Sequence, residues 1–259
     1  MIGYKAFKSD WTCRGKQYKV GESYHEDNVE MCKHGMHFCT ELNDVFQYYY
    51  YNPTMKLAKV EASGTIIGDD IDSKHVTSDL KVLEEIDPYS EYVQLVSVKQ
   101  DGLAIKNISN PSEELKLEAV KQNGDAIIYI ANPSEELKLE AVKQNGYAVF
   151  DIDNPSEELK LEAVKQDGLA IRYIDSPSED VILAAVKKDG YAIDYIDNPS
   201  EKLKLEAVKQ DGRAIQFIDN PSEDVQLAAI KQDSSAIELI DNPSEKAEEL
   251  YKKMLTSGE

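Results

Sequence analysis

The chain is poor in cysteine. Its three residues of that type, Cys13, Cys32 and Cys39, all precede position 40. A sparse, odd-numbered set is no disulfide framework, and reduced thiols are the simpler expectation. Long apolar runs are also missing. No stretch is long and apolar enough to span a bilayer, and the opening MIGYKAFKSDW lacks the hydrophobic core of a signal peptide. A soluble, non-secreted, cytoplasmic chain with no membrane segment is therefore expected. No glycine-rich phosphate loop occurs, which argues against the common nucleotide-binding turns. Positive charge is scarce too: 29 Lys and Arg stand against 49 Asp and Glu, a net charge of −20. The segment 1–87 carries −5 of this and the remainder −15. Such a balance disfavours direct binding of nucleic acid or of anionic membranes.

What the chain has in quantity is repetition. The run NPSEELKLEAVKQ at Asn110–Gln122 recurs at Asn132–Gln144 and at Asn154–Gln166. Looser copies begin at Pro88, Ser176, Asn198 and Asn220, and a truncated one begins at Asn242, so the period is 22 residues. A fixed period in this range marks a helical solenoid, an architecture that binds far more often than it catalyses. The expected fold class is α+β. A small mixed α/β domain at 1–79 precedes an all-α solenoid of two-helix repeats at 80–259. That solenoid would open with a lone short helix at 80–87. Repeats would start at 88, 110, 132, 154, 176, 198 and 220, and a polar cap would close the array at 242–259.

Within one repeat, Asn110 reads as a helix N-cap, Pro111 as the first helical residue and Glu113 as the third member of a capping box. Leu115, Leu117, Ala119 and Val120 supply the apolar sides. Gly124 reads as a left-handed terminator, and a second, shorter helix carries Ala126, Ile127 and Ile130. Lys116 falls between the apolar sides, with a stem expected to snorkel. Glu114, Glu118, Lys121 and Gln122 form a solvated face.

The copies differ where the short helix faces outward. Tyr147, Phe150, Arg172, Tyr173, Tyr191, Asp194, Tyr195, Arg213 and Phe217 are the candidate binding residues, because a constant scaffold with variable Tyr, Arg and Phe positions suits recognition. The competing reading makes Tyr129, Tyr173, Tyr195 and Phe217 a packing ladder between repeats. A second stripe, Asp153, Asp175, Asp197, Asp219 and Asp241, precedes each Asn-Pro or Ser-Pro. Turn chemistry explains it simply; an acidic ladder for a basic partner is the sharper alternative.

The N-terminal part has strand-like runs IGYKAF, KQYKV, HGMHF and MKLAKVEA, with a helix over 41–51 capped by Thr40 and stopped by Asn52-Pro53. Cys32, His34, His37 and Cys39 are weak metal candidates, since their spacing closes a tetrahedron poorly. Buried thiols and surface histidines are the expectation there. No catalytic residue and no cofactor are assigned.

Three resemblances attach to these residues. The AVKQNG core and its following short helix resemble a bacterial and viral repeat family of unknown function, over Pro88 to about Gly258. GYKAF, CRGKQY, CKHGMHFC and LAKVEASG resemble a module that opens many phage and prophage proteins, which implies a phage setting. GMHFCTELNDVFQYYYY followed by KLAKVEASG is similar to the middle of the ADP-ribosyltransferase fold. Lys5 stands where that family carries His or Arg. The family's closing Glu would fall in Ser90-Glu91-Tyr92-Val93, which the repeat register assigns to a helix. This last resemblance implies a degenerate relative binding NAD or a related small ligand, without transferase activity. The leading expectation is a non-enzymatic protein that binds a protein partner, such as an antagonist of host defence or of another host process. An acidic nucleic-acid mimic is the alternative.

Overall fold

The computed structural model describes residues 1–68 and 73–257, and the chain forms two compact units, 1–130 and 131–259. It is an α+β protein, with a strand-built N-terminal region followed by repeated helix pairs.

In the first unit the strands are β1 (Ile2–Phe7), β2 (Thr12–Cys13), β3 (Lys16–Gln17), β4 (Ser23–His25), β5 (Met36–Cys39), β6 (Lys56–Gly68) and β7 (Lys74–Ile86), with helix α1 (Leu42–Tyr48) between β5 and β6. All pairings are antiparallel. β1 pairs with β5 and β6, and β7 pairs with the same two strands, so these four close on themselves while β4 adds to β7. Closure removes the exposed edges that an open sheet of this size would present. The interior is filled by Phe7, Tyr18, Met36, Phe38, Val60, Leu80 and Val82.

The segment 80–87 is not a lone helix. It is the second half of β7, and Asp79 lies inside that strand, so the sheet runs on to Ile86. Val82, Leu83 and Ile86 have helical spacing, but Leu80 and Val82 are buried with Lys81 exposed between them, and pairing with β6 satisfies the backbone. The helix expected over 41–51 is shorter. It begins after Glu41, whose side chain makes no capping bond, and ends at Tyr48. Of KQYKV only Lys16–Gln17 is strand.

The same unit contains α2 (Glu91–Gln100), α3 (Glu113–Gln122) and the 3-10 helices η1 (Gly102–Asn107) and η2 (Gly124–Tyr129). Glu91 is thus helical, as the repeat register requires. Tyr51 ties these helices to the sheet region. Its hydroxyl donates to the Pro88 carbonyl at 2.9 Å, and its own carbonyl accepts from Asn107 Nδ2 at 2.8 Å.

The second unit contains α4 (Glu135–Gln144), α5 (Glu157–Gln166), α6 (Glu179–Lys188), α7 (Glu201–Gln210), α8 (Glu223–Gln232) and α9 (Glu245–Ser257). The 3-10 helices η3 (Gly146–Asp151), η4 (Gly168–Tyr173), η5 (Gly190–Tyr195), η6 (Gly212–Phe217) and η7 (Ser234–Leu239) alternate with them. Each long helix packs on the next, and each short one on the next. Leu159, Ala163 and Val164 show the pattern of the long helices, at 2, 0 and 0 % exposure. Ten-residue helices are marginal alone, so this inter-repeat burial supplies their stability.

The caps differ from the expectation. The N-cap is the serine, as at Ser156, whose Oγ accepts from the Leu159 N–H at 3.3 Å, and Glu157 is the first helical residue. The preceding Asn154 adopts a left-handed backbone with φ of 50°, as Asn110, Asn132, Ser176, Asn198 and Asn220 do in their repeats. Asn tolerates that region better than most residues, so it makes the turn, and the serine two positions later caps. The glycine is not a left-handed terminator either: among the described residues no repeat glycine has a positive φ. The short helices are 3-10 rather than α, and each is capped by the Asn or Asp just before it, which precedes a glycine everywhere but at Ser234. Asp167 Oδ1, for example, accepts from the Leu169 N–H at 2.9 Å. Lys116 does snorkel: its half-buried stem carries Nζ to Glu113 at 2.6 Å.

Candidate functional site

In the second unit, the short helices gather the variable residues on one face. A 3-10 helix such as η3, with Gly146, Ala148 and Val149 inward, leaves Tyr147, Phe150 and Asp151 outside or flanking. Phe150 is 67 % and Tyr195 44 % exposed. Arg172, Asp194 and Arg213 are exposed, whereas Tyr147, Tyr173, Tyr191 and Phe217 are half-buried. Tyr173 meets Tyr147 edge-on at 5.7 Å and Phe150 at 5.1 Å between ring centroids. The Arg172 guanidinium lies 4.6 Å from the Tyr173 ring centre and 6.0 Å from that of Tyr195. Tyr191 meets Phe217 edge-on at 5.4 Å. The face therefore divides. Tyr147, Tyr173, Tyr191 and Phe217 interlock between repeats, and Phe150, Arg172 and Tyr195 stand out from them as an aromatic and cationic ridge.

Asp153, Asp175, Asp197, Asp219 and Asp241 are all exposed. The first four each precede a residue in the left-handed turn, at φ between 46 and 50°. The Asp175 carbonyl accepts from Lys160 Nζ at 3.1 Å, so this corner is tied back to α5 of its own repeat through its backbone.

The N-terminal region holds a cavity of about 420 Å³ whose walls include Lys5, Arg14, Lys74, His37, Tyr48 and Tyr49. Alternation along β1 places Lys5 on the same side as Phe7. Lys5 is 4 % exposed, its Nζ donates to the His37 carbonyl at 2.6 Å, and it lies 5.6 Å from the Phe7 ring centre. Burial pushes the Lys5 ammonium below its usual range. Burial likewise pushes the Tyr49 hydroxyl up, and Cys13 beside it adds to the effect. His37 is held at about 4, first by burial and then by the positive charges of Arg14, Lys5 and Lys74.

The four metal candidates are dispersed. His37 and Cys39 are buried in β5, while Cys32 and His34 are exposed. His37 thus departs from the expected surface histidine, because β5 is covered on both faces. Its Nε2 accepts from the Cys32 backbone N–H at 2.9 Å, and Lys74 Nζ donates to Cys32 Sγ at 3.3 Å. No three His, Cys, Asp or Glu residues among those described converge in a way that could hold a metal.

The cavity residues Lys5, Arg14, Lys74, Tyr48 and Tyr49 are not legible in the sequence as a group, since they come from separate stretches of chain. One signal is present: a lysine on the Phe7 side of an otherwise apolar strand.

Residues 1–94 match the family described as Domain of unknown function (DUF7666). Residues 156–204 and 178–222 match Domain of unknown function (DUF4116). No curated protein and no solved structure matches the chain. The first match spans the whole sheet, β7 included, and ends in α2; the second falls on the repeats from α5 to η6. The sheet region and part of the helical repeats are thus each similar to a family described only as a domain of unknown function.

Proposed function

We propose that the chain is a non-enzymatic binding protein whose second unit holds a protein partner through the short-helix face. The observation that carries this reading is the ridge of Phe150, Arg172 and Tyr195, exposed above an interlocked aromatic layer. Exposed aromatics and arginine fixed on a rigid support are the residue types that dominate binding energy at protein interfaces. The support costs no ordering on binding, because neighbouring rings already hold Tyr173 in place. In the phage setting implied by the N-terminal resemblance, the partner would belong to the host, and the outcome would be antagonism of a defence or other host process.

The test compares the full chain with a variant carrying Phe150→Ser, Arg172→Ser and Tyr195→Ser. Proteins recovered from host lysate by the parent alone are purified and titrated against both. A dissociation constant weakened at least about tenfold in a variant that stays folded, its stability lower only by the lost Phe150 and Arg172 contacts with Tyr173, supports the reading. Equal affinity for both chains sinks it. Binding that survives the substitutions but collapses with salt would transfer the contact to the Asp153–Asp241 stripe and to the mimicry reading.

A further inference from the structure

We propose that the cavity of the N-terminal region binds a small phosphorylated molecule of about mononucleotide size. This goes beyond the repeat-face reading and does not depend on it. The chain carries a net charge of −20, yet the cavity is lined by Lys5, Arg14, Lys16, Lys33 and Lys74 against one carboxylate, Glu26. Glu26 is already engaged, by Lys16 at 3.2 Å and by the Gly35 N–H at 3.1 Å. Lys33 is held by Glu30 at 2.6 Å.

Lys5 and Arg14 form no ion pair among the described residues. Their donors go to main-chain carbonyls instead. Lys5 Nζ reaches His37 at 2.6 Å, and the Arg14 guanidinium reaches Lys33 and Cys32, both at 3.4 Å. A buried ammonium met by one neutral carbonyl, the Cys13 side chain and the Phe7 and Tyr18 rings, with no carboxylate, is expensive to keep, and a fold that needed only bulk there would be served better by an apolar side chain.

An independent observation points the same way. His37 is 9 % exposed, and its Nδ1 has no hydrogen-bond partner. Nε2 accepts from Cys32, so the proton of the neutral ring sits on Nδ1, which is shielded from solvent beside the Gly35 backbone. The cavity thus gathers two cations without carboxylates and the Lys74 ammonium. A phosphate group, with up to two charges and three strong acceptor oxygens, answers that set better than a single carboxylate. The volume of about 420 Å³ is of the order of small-ligand pockets. Tyr4, Tyr18, Tyr48 and Tyr49 in its walls offer rings against which a base or another flat group can lie. Nucleic acid itself is disfavoured by the charge of the chain outside the cavity.

The test is isothermal titration of the full chain at low salt with AMP, inorganic phosphate and adenosine. The expected result is one saturable AMP site per chain, weaker competition by inorganic phosphate and no binding of adenosine. Arg14→Gln should weaken AMP by about tenfold or more, the effect of losing one charge-assisted hydrogen bond. The melting temperature of the unliganded variant should not change, because Arg14 is exposed. Lys5→Met should abolish binding; if that chain does not fold, Arg14→Gln carries the test. AMP should also raise the midpoint of the His37 ring titration followed by NMR. The proposal is overturned if neither AMP nor inorganic phosphate saturates. Equal binding of adenosine and AMP, or AMP binding untouched by Arg14→Gln, would overturn it as well.

Discussion

The α-carbon of Gly190 faces the main-chain carbonyl of Ala207 in the next repeat so closely that a β-carbon there would lie 2.6 Å from the oxygen. Gly146 and Ala163, Gly168 and Ala185, and Gly212 and Ala229 stand in the same relation, at 2.5 to 2.7 Å. The N–H of Gly190 also donates to Gln210 Oε1 at 2.6 Å. Glycine and alanine in the repeat are therefore two halves of one close approach between helix layers. Gly190→Ala gains about 0.4–1 kcal/mol by restricting the unfolded chain, but it drives a methyl group into backbone that cannot step aside. Overpacking of this kind costs about 1–3 kcal/mol, so a net loss of stability is expected. Thermal and urea denaturation check it, and a Gly190→Ala variant as stable as the parent would show that the layers can separate freely.

Ser200 and Asn198 divide the work at the start of α7, and substitution separates their roles. Ser200 Oγ accepts from the Leu203 N–H at 3.3 Å, and Asn198 sits at φ of 49°. Ser200→Ala should cost about 1 kcal/mol, the usual loss for a missing cap. Asn198→Gly should be nearly neutral, since glycine enters the left-handed region without strain. Asn198→Val should cost about 1–2 kcal/mol for the opposite reason. Were Asn198 the cap, Ser200→Ala would be silent in the same denaturation series.

These two sites show what the sequence makes readable. The period, the inward Leu, Ala and Val positions and the helix pairs follow directly from spacing, because burial on a helix imposes its own periodicity. Residues such as Asn198, Ser200 and Gly190 are recognisable as turn and cap chemistry, but Asn, Pro, Ser and Gly each suit several positions at a helix end. Only the backbone angles assign them. The second half of β7 escapes a reading by spacing because Val82, Leu83 and Ile86 fit a helix, and its strand character rests on pairing with β6, a contact between distant stretches of chain. The cavity is invisible for the same reason. Beyond the single lysine in an apolar strand, Lys5, Arg14 and Lys74 mean nothing as a group until the sheet closes and brings them together.

Tyr173 and Phe150 should respond differently to truncation, although they touch. Tyr173 is half-buried between Tyr147 and Phe150 and carries Arg172 over its ring, whereas Phe150 is 67 % exposed. Tyr173→Ala removes two ring contacts, each worth about 0.5–1.5 kcal/mol, and lowers stability measurably. Phe150→Ala removes one of the two and exposes little new surface, so its effect should be about half that of Tyr173→Ala. A double-mutant cycle on the pair reads the shared contact. If Phe150→Ala destabilised as much as Tyr173→Ala, Phe150 would be packing rather than free surface, and the ridge would lose its most exposed member.

His37 should make the fold sensitive to mild acid. Its Nε2 accepts from the Cys32 N–H, a bond that protonation destroys. Burial, with the charges of Arg14, Lys5 and Lys74, holds its pKa at about 4 in the folded chain, against 6.5 ordinarily. Between those values the unfolded chain binds a proton that the folded chain refuses, so stability falls as pH drops from 6.5 towards 4. Above 6.5 this group contributes no slope. Asp79, held low by Ser78 and then His25, loses stabilising charge only below 3.8, beneath that range. His25, raised by Asp79 and then Asp27, works in the opposite sense. Both remain in a His37→Gln chain, so the difference between parent and variant isolates His37. Urea denaturation at a series of pH values should show the parent losing more stability than the variant as the solution is acidified. Parallel curves would mean that the ring is solvated in the folded chain, and the positive field ascribed to the cavity would lose its internal reporter.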